Sequence, residues 1–288
     1  MKKKIVFVIC NGRSGSTVFS KFLGAHSNCF ALSEPHYFDT HYNDNELCSC
    51  EKPYTECEFW NTVVADLHLS EVNIQNFNTS LVPFVESRDS KFKKITKYLN
   101  LFLFFKCGVP YFFHDYINQI DNEVRLLESV MNIRNERVFI DASKSLSRAI
   151  FIMSRLKKRY EYSFVFLERD IKDVVASMTK DKVKIELSTG SVKEVSTYKG
   201  ISESQAASQI KKVTRNTNLV SKIFGIKGKP VVYKEFTNNP KQVFINLSDV
   251  HALDWEDSMM NLDSSEHHLL GGNYSRINAK SIRKSAEK

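Results

Sequence analysis

Seven residues near the amino terminus, Asn11-Gly12-Arg13-Ser14-Gly15-Ser16-Thr17, combine two glycines, three hydroxyls and an arginine. An apolar run, Ile5 to Cys10, precedes them, and Val18, Phe19, Phe22 and Leu23 follow at the spacing of one helical face. The pattern predicts a strand, a small-residue turn and a helix. Such a turn aims backbone N–H groups and the positive end of a helix dipole at one point. Gly12 and Gly15 let a ligand approach the backbone closely, and Arg13, Ser14, Ser16 and Thr17 add side-chain donors. The chemistry that fits is the holding of a phosphate or sulfate oxyanion. The turn is not a Walker A loop, because Arg13 lies inside it and no lysine follows Gly15.

A second basic position stands in Leu167-Glu168-Arg169-Asp170-Ile171-Lys172-Asp173, where a strand pattern gives way to a helix. At the carboxyl end of a strand in an α/β sheet, Arg169 points to the ligand crevice and its guanidinium can fork onto a phosphate. Ser177 lies about two helical turns further on, roughly 9–12 Å along a helix axis. Spacing alone does not assign Arg169 and Ser177 to one ligand.

Cys48, Cys50 and Cys57, followed by Phe59-Trp60, form a Cys-x-Cys-x6-Cys cluster. Three cysteines bind zinc if His41 or another residue completes the set. A disulfide is the alternative, disfavoured in a chain with no secretion signal. The reading preferred from sequence is a packing or redox-sensitive loop lining an acceptor site. His267 and His268 are read as orienting their loop, with no matching ligand set evident and no metal among the site residues.

The elements that must position these groups are legible as strands. Four apolar runs, Ile5–Cys10, Val138–Asp141, Ser163–Glu168 and Pro230–Tyr233, each lead into a polar turn and a helical pattern. A shorter run, Phe30–Leu32, is the second strand in chain order. The repeat predicts an α/β fold, a P-loop-like parallel sheet flanked by helices, with ligands at the carboxyl ends of the strands. More than a hundred residues separate the first and second of the four runs, so a mostly helical insertion is expected over about 47–134. Its clearest helix is Asp115 to Met131, where Ile117, Ile120, Val124, Leu127 and Val130 share a face. Ser188 to Gly200 reads as a mobile loop, Ser202 to Phe224 as a helix, and residues 279–288 as a fraying tail. The whole of 1–288 is expected to be one domain.

The formal charge of +8 suits an anionic ligand. The basic residues are spread along the chain with no unbroken basic stripe, so nucleic acid is not expected as a partner. The apolar core after Lys2-Lys3-Lys4 is too short for a signal peptide. Tyr98 to Phe113 is interrupted by Lys106, Gly108 and Pro110 and falls short of the ~20 residues of a bilayer span. A cytoplasmic protein follows, with peripheral membrane contact left open and no oligomeric state specified.

Taken together, the Gly12–Thr17 turn, Glu34 in Leu32-Ser33-Glu34-Pro35, Asp141-Ala142-Ser143-Lys144 and Arg169…Ser177 resemble the PAPS-dependent sulfotransferase family. The likeness is to its bacterial, carbohydrate-type branch. Gly272-Asn273-Tyr274-Ser275-Arg276 resembles that branch's Gly-Asn-x-x-Arg signature, and Tyr233-Lys234-Glu235-Phe236 with Asn239-Pro240 resembles its Tyr-Glu-x-Leu…Pro segment. The matches run in order from Ile5 to Ile277 and leave out the insertion and the Ser188–Gly200 loop.

The resemblance implies a division of roles. Gly12, Arg13, Ser14, Gly15, Ser16 and Thr17 would hold the 5′-phosphosulfate of PAPS (3′-phosphoadenosine 5′-phosphosulfate). Arg169 and Ser177 would hold the 3′-phosphate, and Asn273 and Arg276 would close over the nucleotide. The implied reaction is in-line sulfuryl transfer to a hydroxyl of a carbohydrate or glycolipid, leaving PAP (3′-phosphoadenosine 5′-phosphate), with no obligatory metal. Arg13 and Lys144 would stabilise the developing charge. Glu34 is the first choice of base, at the end of the second strand, and His36 the second, on the strength of a near-neutral pKa. Two features depart from the family pattern: arginine at position 13 where many relatives carry lysine, and Ile171 where the Arg-Asp-Pro proline stands. The rival readings are a P-loop-type kinase or NTPase, with Asp141 holding magnesium, and a non-catalytic nucleotide-binding module.

Overall fold

The computed structural model describes residues 2–69, 74, 76–79, 99, 102–103, 117–180, 182–186, 192–196, 201–263, 267–272 and 275–282. Among these, the strands are β1 Lys4–Cys10, β2 Cys29–Ser33, β3 Val138–Lys144, β4 Glu161–Glu168, β5 Lys182–Glu186, β6 Val192–Ser196 and β7 Lys229–Val232. Five of them form one parallel sheet in the order β2-β3-β1-β4-β7. The chain leaves β1 toward β2 and leaves β4 toward β7. The crevice at the carboxyl ends of these strands is therefore a topological switch point.

β1 shows why the sheet is central. Ile5, Phe7 and Ile9 face one core and Val6 and Val8 the other, so the alternation of strand side chains feeds two apolar layers. The layer fed by Val6 and Val8 includes α1 Ser16–Gly24, through Phe19 and Phe22. On the opposite side lie the helices of the long β2–β3 crossover: α2 Phe38–Asn43, α3 Glu58–Asp66 and α4 Ile117–Ile133. α5 Leu146–Leu156 joins them, with Ala149, Ile150 and Ile152 buried. α4 carries the periodicity expected over Asp115 to Met131, within its described span Ile117–Ile133.

β4 leads into α6 Ile171–Met178, where the Asp170 side chain accepts from the Lys172 N–H and does the capping that a helix-start proline leaves open. α7 Glu203–Phe224 opens on a capping box between Ser202 and Gln205 and ends at Gly225 with φ 64°. After β7 come α8 Tyr233–Asn238, α9 Pro240–His251, which adds Phe244 and Leu247 to the layer of Val6 and Val8, and α10 Ser275–Asn278.

Two expectations about irregular segments change. The stretch expected as a loop over 188–200 contains β6, which pairs antiparallel with β5 from Lys182↔Ser196 to Glu186↔Val192. The valines and isoleucine of the two strands favour pairing, and charged residues between them mask that pattern as a polar loop. The start of the expected fraying tail is pinned: Leu262 N–H donates to Lys280 O, Asn261 bridges Ser281, and Lys21 Nζ donates to Ala279 O. Most of the aromatic stretch Tyr98–Phe113 lies outside the described residues. No helix among the described residues is long and apolar enough to cross a membrane.

Candidate functional site

Each parallel strand delivers one part of the site at its carboxyl end. From β1 comes the Asn11–Gly15 turn, with Arg13 at φ 66° and Gly15 at φ 93°. Gly15 caps α1 without a side-chain hydrogen bond, and the first turn of α1 holds no acidic residue. Ser14, Ser16 and Thr17 are buried against the turn. The ring of Tyr233, the first residue after β7, packs on Gly15 so closely that an added Cβ would stand 2.0 Å from Cε2.

Arg169, just past β4, holds this turn from the other side. Its guanidinium lies over the Tyr233 ring at 4.9 Å, and one terminal nitrogen donates to the Arg13 carbonyl at 3.1 Å. Arg169 Nε is a buried donor with no hydrogen-bond partner. Arg13 Nε donates to Ser177 Oγ at 3.0 Å. Arg13, Arg169 and Ser177 thus meet in one cluster, a convergence that sequence spacing does not show.

From β2 and β3 come Glu34 and Lys144, whose carboxylate and ammonium are paired. Both neighbouring strands lose regular register where this happens, between Ala31 and Ser33 and between Phe7 and Ile9 opposite β3. Ser33 and Lys144 adopt φ of 65° and 69°. Non-glycine residues in that region cost on the order of 1–3 kcal/mol each and cluster at functional sites. The irregularity turns two residues that a straight strand would point apart into one pair. Glu34 is 5% exposed, at the crevice wall.

His36 does not have the near-neutral pKa expected of a base. Burial, with the positive charges of Arg148 and Lys144 and the nearby His41, holds it well below the usual histidine value. Its ring lies 3.9 Å from that of Tyr37, tilted by 40°, and its Nδ1 is buried without a hydrogen-bond partner.

A strap of residues 267–272 runs along the edge of β2. Leu270 N–H donates to Leu32 O at 3.0 Å, and Glu34 N–H donates to Leu270 O at 2.9 Å. Its Gly271-Gly272 end, at φ 59° and 79°, presses on the site: a Cβ on Gly272 would meet Thr17 Oγ1 at 3.0 Å, Ser33 Oγ at 3.1 Å and Glu34 Oε1 at 3.4 Å. Arg276 supports this turn from behind. It is 1% exposed and donates to the carbonyls of Gly271, Gly272 and Leu47 and to Glu46. Its guanidinium is engaged by protein and holds the strap. Asn273 lies outside the described residues.

Asp141 is turned away from the crevice. It accepts from Arg148 at 2.8 Å and from the Ser143 N–H at 2.9 Å, and Arg148 also binds Glu123, all buried. Burial pushes Glu123 up to about 7 against the attraction of Arg148.

The cysteine cluster gains a fourth member that differs from the expected one. Cys48, Cys50, Cys57 and His268 bring their ligand atoms within 4.8 Å of one another. His41 is instead paired with Glu46 at 2.9 Å. Sequence reasoning sets His268 aside because more than two hundred positions separate it from Cys57, and no local spacing links them. It also misses Tyr233 as part of the oxyanion turn; its place directly after a parallel strand is the available signal.

No protein-family model and no curated protein matches this chain. Among solved structures it is similar to the sulfotransferase domain of the olefin synthase of Synechococcus PCC 7002, at 15% identity and a TM-score of 0.52, over 98% of this chain and 85% of that one. A sulfotransferase domain from the curacin biosynthetic pathway aligns at 15% identity and a TM-score of 0.49, over 98% and 84%. The chain has the parallel α/β fold of the Synechococcus sulfotransferase domain over nearly its whole length.

Proposed function

We propose that this protein is a PAPS-dependent sulfotransferase acting on a hydroxyl of a carbohydrate or glycoconjugate, in the manner of the bacterial carbohydrate-type branch. One observation carries the proposal: an oxyanion turn, a second arginine site and a carboxylate–ammonium pair meet at the carboxyl ends of neighbouring parallel strands. The turn from Gly12 to Thr17 takes the 5′-phosphosulfate, and Arg169 with Ser177 takes the 3′-phosphate. The residues present fit such a ligand, since Arg169 Nε is an unsatisfied buried donor and any side chain at Gly15 would fill the cradle.

In the proposed step the acceptor oxygen forms a bond to sulfur as the bond from sulfur to the 5′-phosphate oxygen breaks. The electron pair leaves with PAP, and the acceptor proton passes to Glu34. Arg13 and Lys144 face the charge that spreads over the sulfuryl oxygens and the departing phosphate. Lys144 also holds the Glu34 carboxylate in place at the crevice. No metal is needed in these roles. The reaction is that of a cytoplasmic enzyme with access to PAPS.

The kinase reading loses its magnesium ligand, because Asp141 is buried and engaged by Arg148. Calorimetric titration with PAP, ATP–magnesium and AMP, on wild type and Arg169→Ala, tests the proposal. Micromolar PAP binding that collapses in the variant, followed by sulfuryl transfer from PAPS to a panel of sugars and glycolipids, supports it. A preference for ATP–magnesium overturns it. Tight PAP binding with no turnover on any acceptor leaves the non-catalytic module.

A further inference from the structure

The second cluster of reactive side chains lies outside the proposed transfer site, in the knuckle that follows α2. Leu47 and Pro53 bridge antiparallel, Cys48 N–H donates to Lys52 O at 2.9 Å, and Glu51 N–H donates to Cys48 O at 2.9 Å. This tight turn, with Glu51 at φ 65°, presents Cys48 and Cys50 together. Cys57 comes from the N-cap of α3. His268 arrives from the strap and is fixed by stacking on Phe59, at 4.9 Å and 17°.

The distances discriminate between the uses such a cluster has. Cys50 Sγ lies 3.6 Å from Cys57 Sγ, and Cys57 Sγ lies 3.8 Å from Cys48 Sγ. His268 Nδ1 lies 3.2 Å from Cys57 Sγ and 3.8 Å from Cys48 Sγ. A disulfide requires about 2.05 Å. A tetrahedral zinc with bonds of about 2.3 Å to sulfur and about 2.0–2.1 Å to nitrogen has ligand–ligand edges of about 3.8 Å and about 3.6 Å. The two sulfur–sulfur separations lie close to the first edge, and the two nitrogen–sulfur separations straddle the second. Cys48 and Cys57 are fully buried, and Cys50 and His268 are partly buried beside them. Three thiolates and an imidazole in this geometry select zinc over harder divalent ions.

We propose that Cys48, Cys50, Cys57 and His268 bind one structural zinc ion that fastens the 267–272 strap to the knuckle. All four coordination positions come from protein, which marks a structural site and leaves no open position for substrate. The ion has a definite mechanical consequence. Around it, Ser49 Oγ donates to His267 O and accepts from Leu269 N–H, both at 2.8 Å, and Tyr54 OH donates to Leu269 O at 2.8 Å. These bonds and the metal hold one end of the strap, and its other end is the Gly271-Gly272 wall beside Glu34 and Thr17. The zinc assignment stands on the ligand geometry and does not depend on sulfuryl transfer.

The test uses the full chain, produced with zinc in the medium and purified under reducing conditions. Elemental analysis is expected to give one zinc per chain. Exchange with cobalt(II) is expected to give the intense visible bands of a tetrahedral ion and near-ultraviolet thiolate charge transfer. Chelation is expected to lower the thermal midpoint, and added zinc to restore it. Cys57→Ser is expected to lose the metal; His268→Cys is expected to keep it and to strengthen the charge-transfer band. A zinc-free reduced protein with no tetrahedral cobalt spectrum overturns the proposal. So does a disulfide among these cysteines in the freshly isolated chain, or iron in place of zinc.

Discussion

Lys144 Nζ contacts a carboxylate oxygen of Glu34, although the two residues lie 110 positions apart in the chain. They meet because β2 and β3 are neighbours and both leave regular register at their carboxyl ends. A paired carboxylate at the crevice wall is a base held in place. If it takes the acceptor proton, Glu34→Gln lowers kcat by about 10²–10⁴-fold, the usual worth of a general base. The amide keeps the shape of the side chain, so PAP affinity measured by calorimetry is expected to stay close to wild type. Lys144→Met is expected to lower kcat as well, with the double variant less impaired than the product of the singles, because the residues act as a unit. Undiminished turnover in Glu34→Gln would remove this residue from the chemistry.

Arg169 and Ser177 approach the same turn from β4 and α6, and both reach it through Arg13. Charge-assisted hydrogen bonds contribute about 1.5–3 kcal/mol, so Arg169→Ala is expected to weaken PAP binding about 10–150-fold. Ser177→Ala removes a neutral partner and is expected to cost about 2–10-fold. The discriminating measurement is the same titration with AMP, which lacks the 3′-phosphate. AMP affinity is expected to change far less. An equal loss for both nucleotides would mean that these residues shape the turn without contacting a 3′-phosphate.

The strand framework and the oxyanion turn are legible in the sequence because local signals specify them. A buried apolar run followed by a Gly-Ser turn has one common structural meaning, and each predicted strand is present with shifts of a few residues. The Glu34–Lys144 pair, the Tyr233 ring on Gly15 and the addition of His268 to the cysteines depend on contacts across the sheet or along the strap. No local periodicity encodes them. Residue type gives the wrong basis for His36: a free histidine titrates near neutrality, but burial beside Arg148 and Lys144 moves this one down. The partners of Arg276, backbone carbonyls and Glu46, are likewise named by no local signal.

His36 gives a pH dependence with a definite sign. Its folded pKa lies below the unfolded value, so between the two the unfolded chain binds the extra proton and stability rises with pH. The contribution is fully present above about pH 6.5 and is lost as pH falls, at up to about 1.4 kcal/mol per pH unit for one group. Comparing wild type with His36→Asn cancels most other titrations. Urea unfolding between mildly acidic and neutral pH is expected to show a steeper loss on acidification in wild type. Parallel curves would mean that His36 is not held neutral in the fold.

Arg148 joins two carboxylates, Glu123 and Asp141, inside the fold. Arg148→Met leaves both without their cation, and breaking a buried pair in this way costs about 3–5 kcal/mol. Chemical denaturation is expected to register that loss, with no new dependence on magnesium. If Asp141→Asn instead left stability unchanged and abolished a magnesium-dependent activity, the placement of Asp141 as a structural residue would fail.

Gly15 tests the oxyanion turn most directly, because two separate constraints fall on it. Its φ of 93° is strained for any other residue, and the Tyr233 ring occupies the space a Cβ would need. Gly15→Ala therefore displaces Tyr233, and with it the guanidinium of Arg169 stacked on that ring. The expected outcome is a loss of about 1–3 kcal/mol in stability from backbone strain and overpacking, together with weaker PAP binding. Tyr233→Ala alone removes the stacked ring, a contact worth about 0.5–2 kcal/mol. In the double variant the steric clash is gone and the backbone strain remains. It is therefore expected to be more stable than the sum of the two single losses, and short of wild type. Denaturation of all four proteins closes this cycle. Strict additivity would mean that the ring and the glycine do not constrain each other, and the turn would then be set by its own backbone alone.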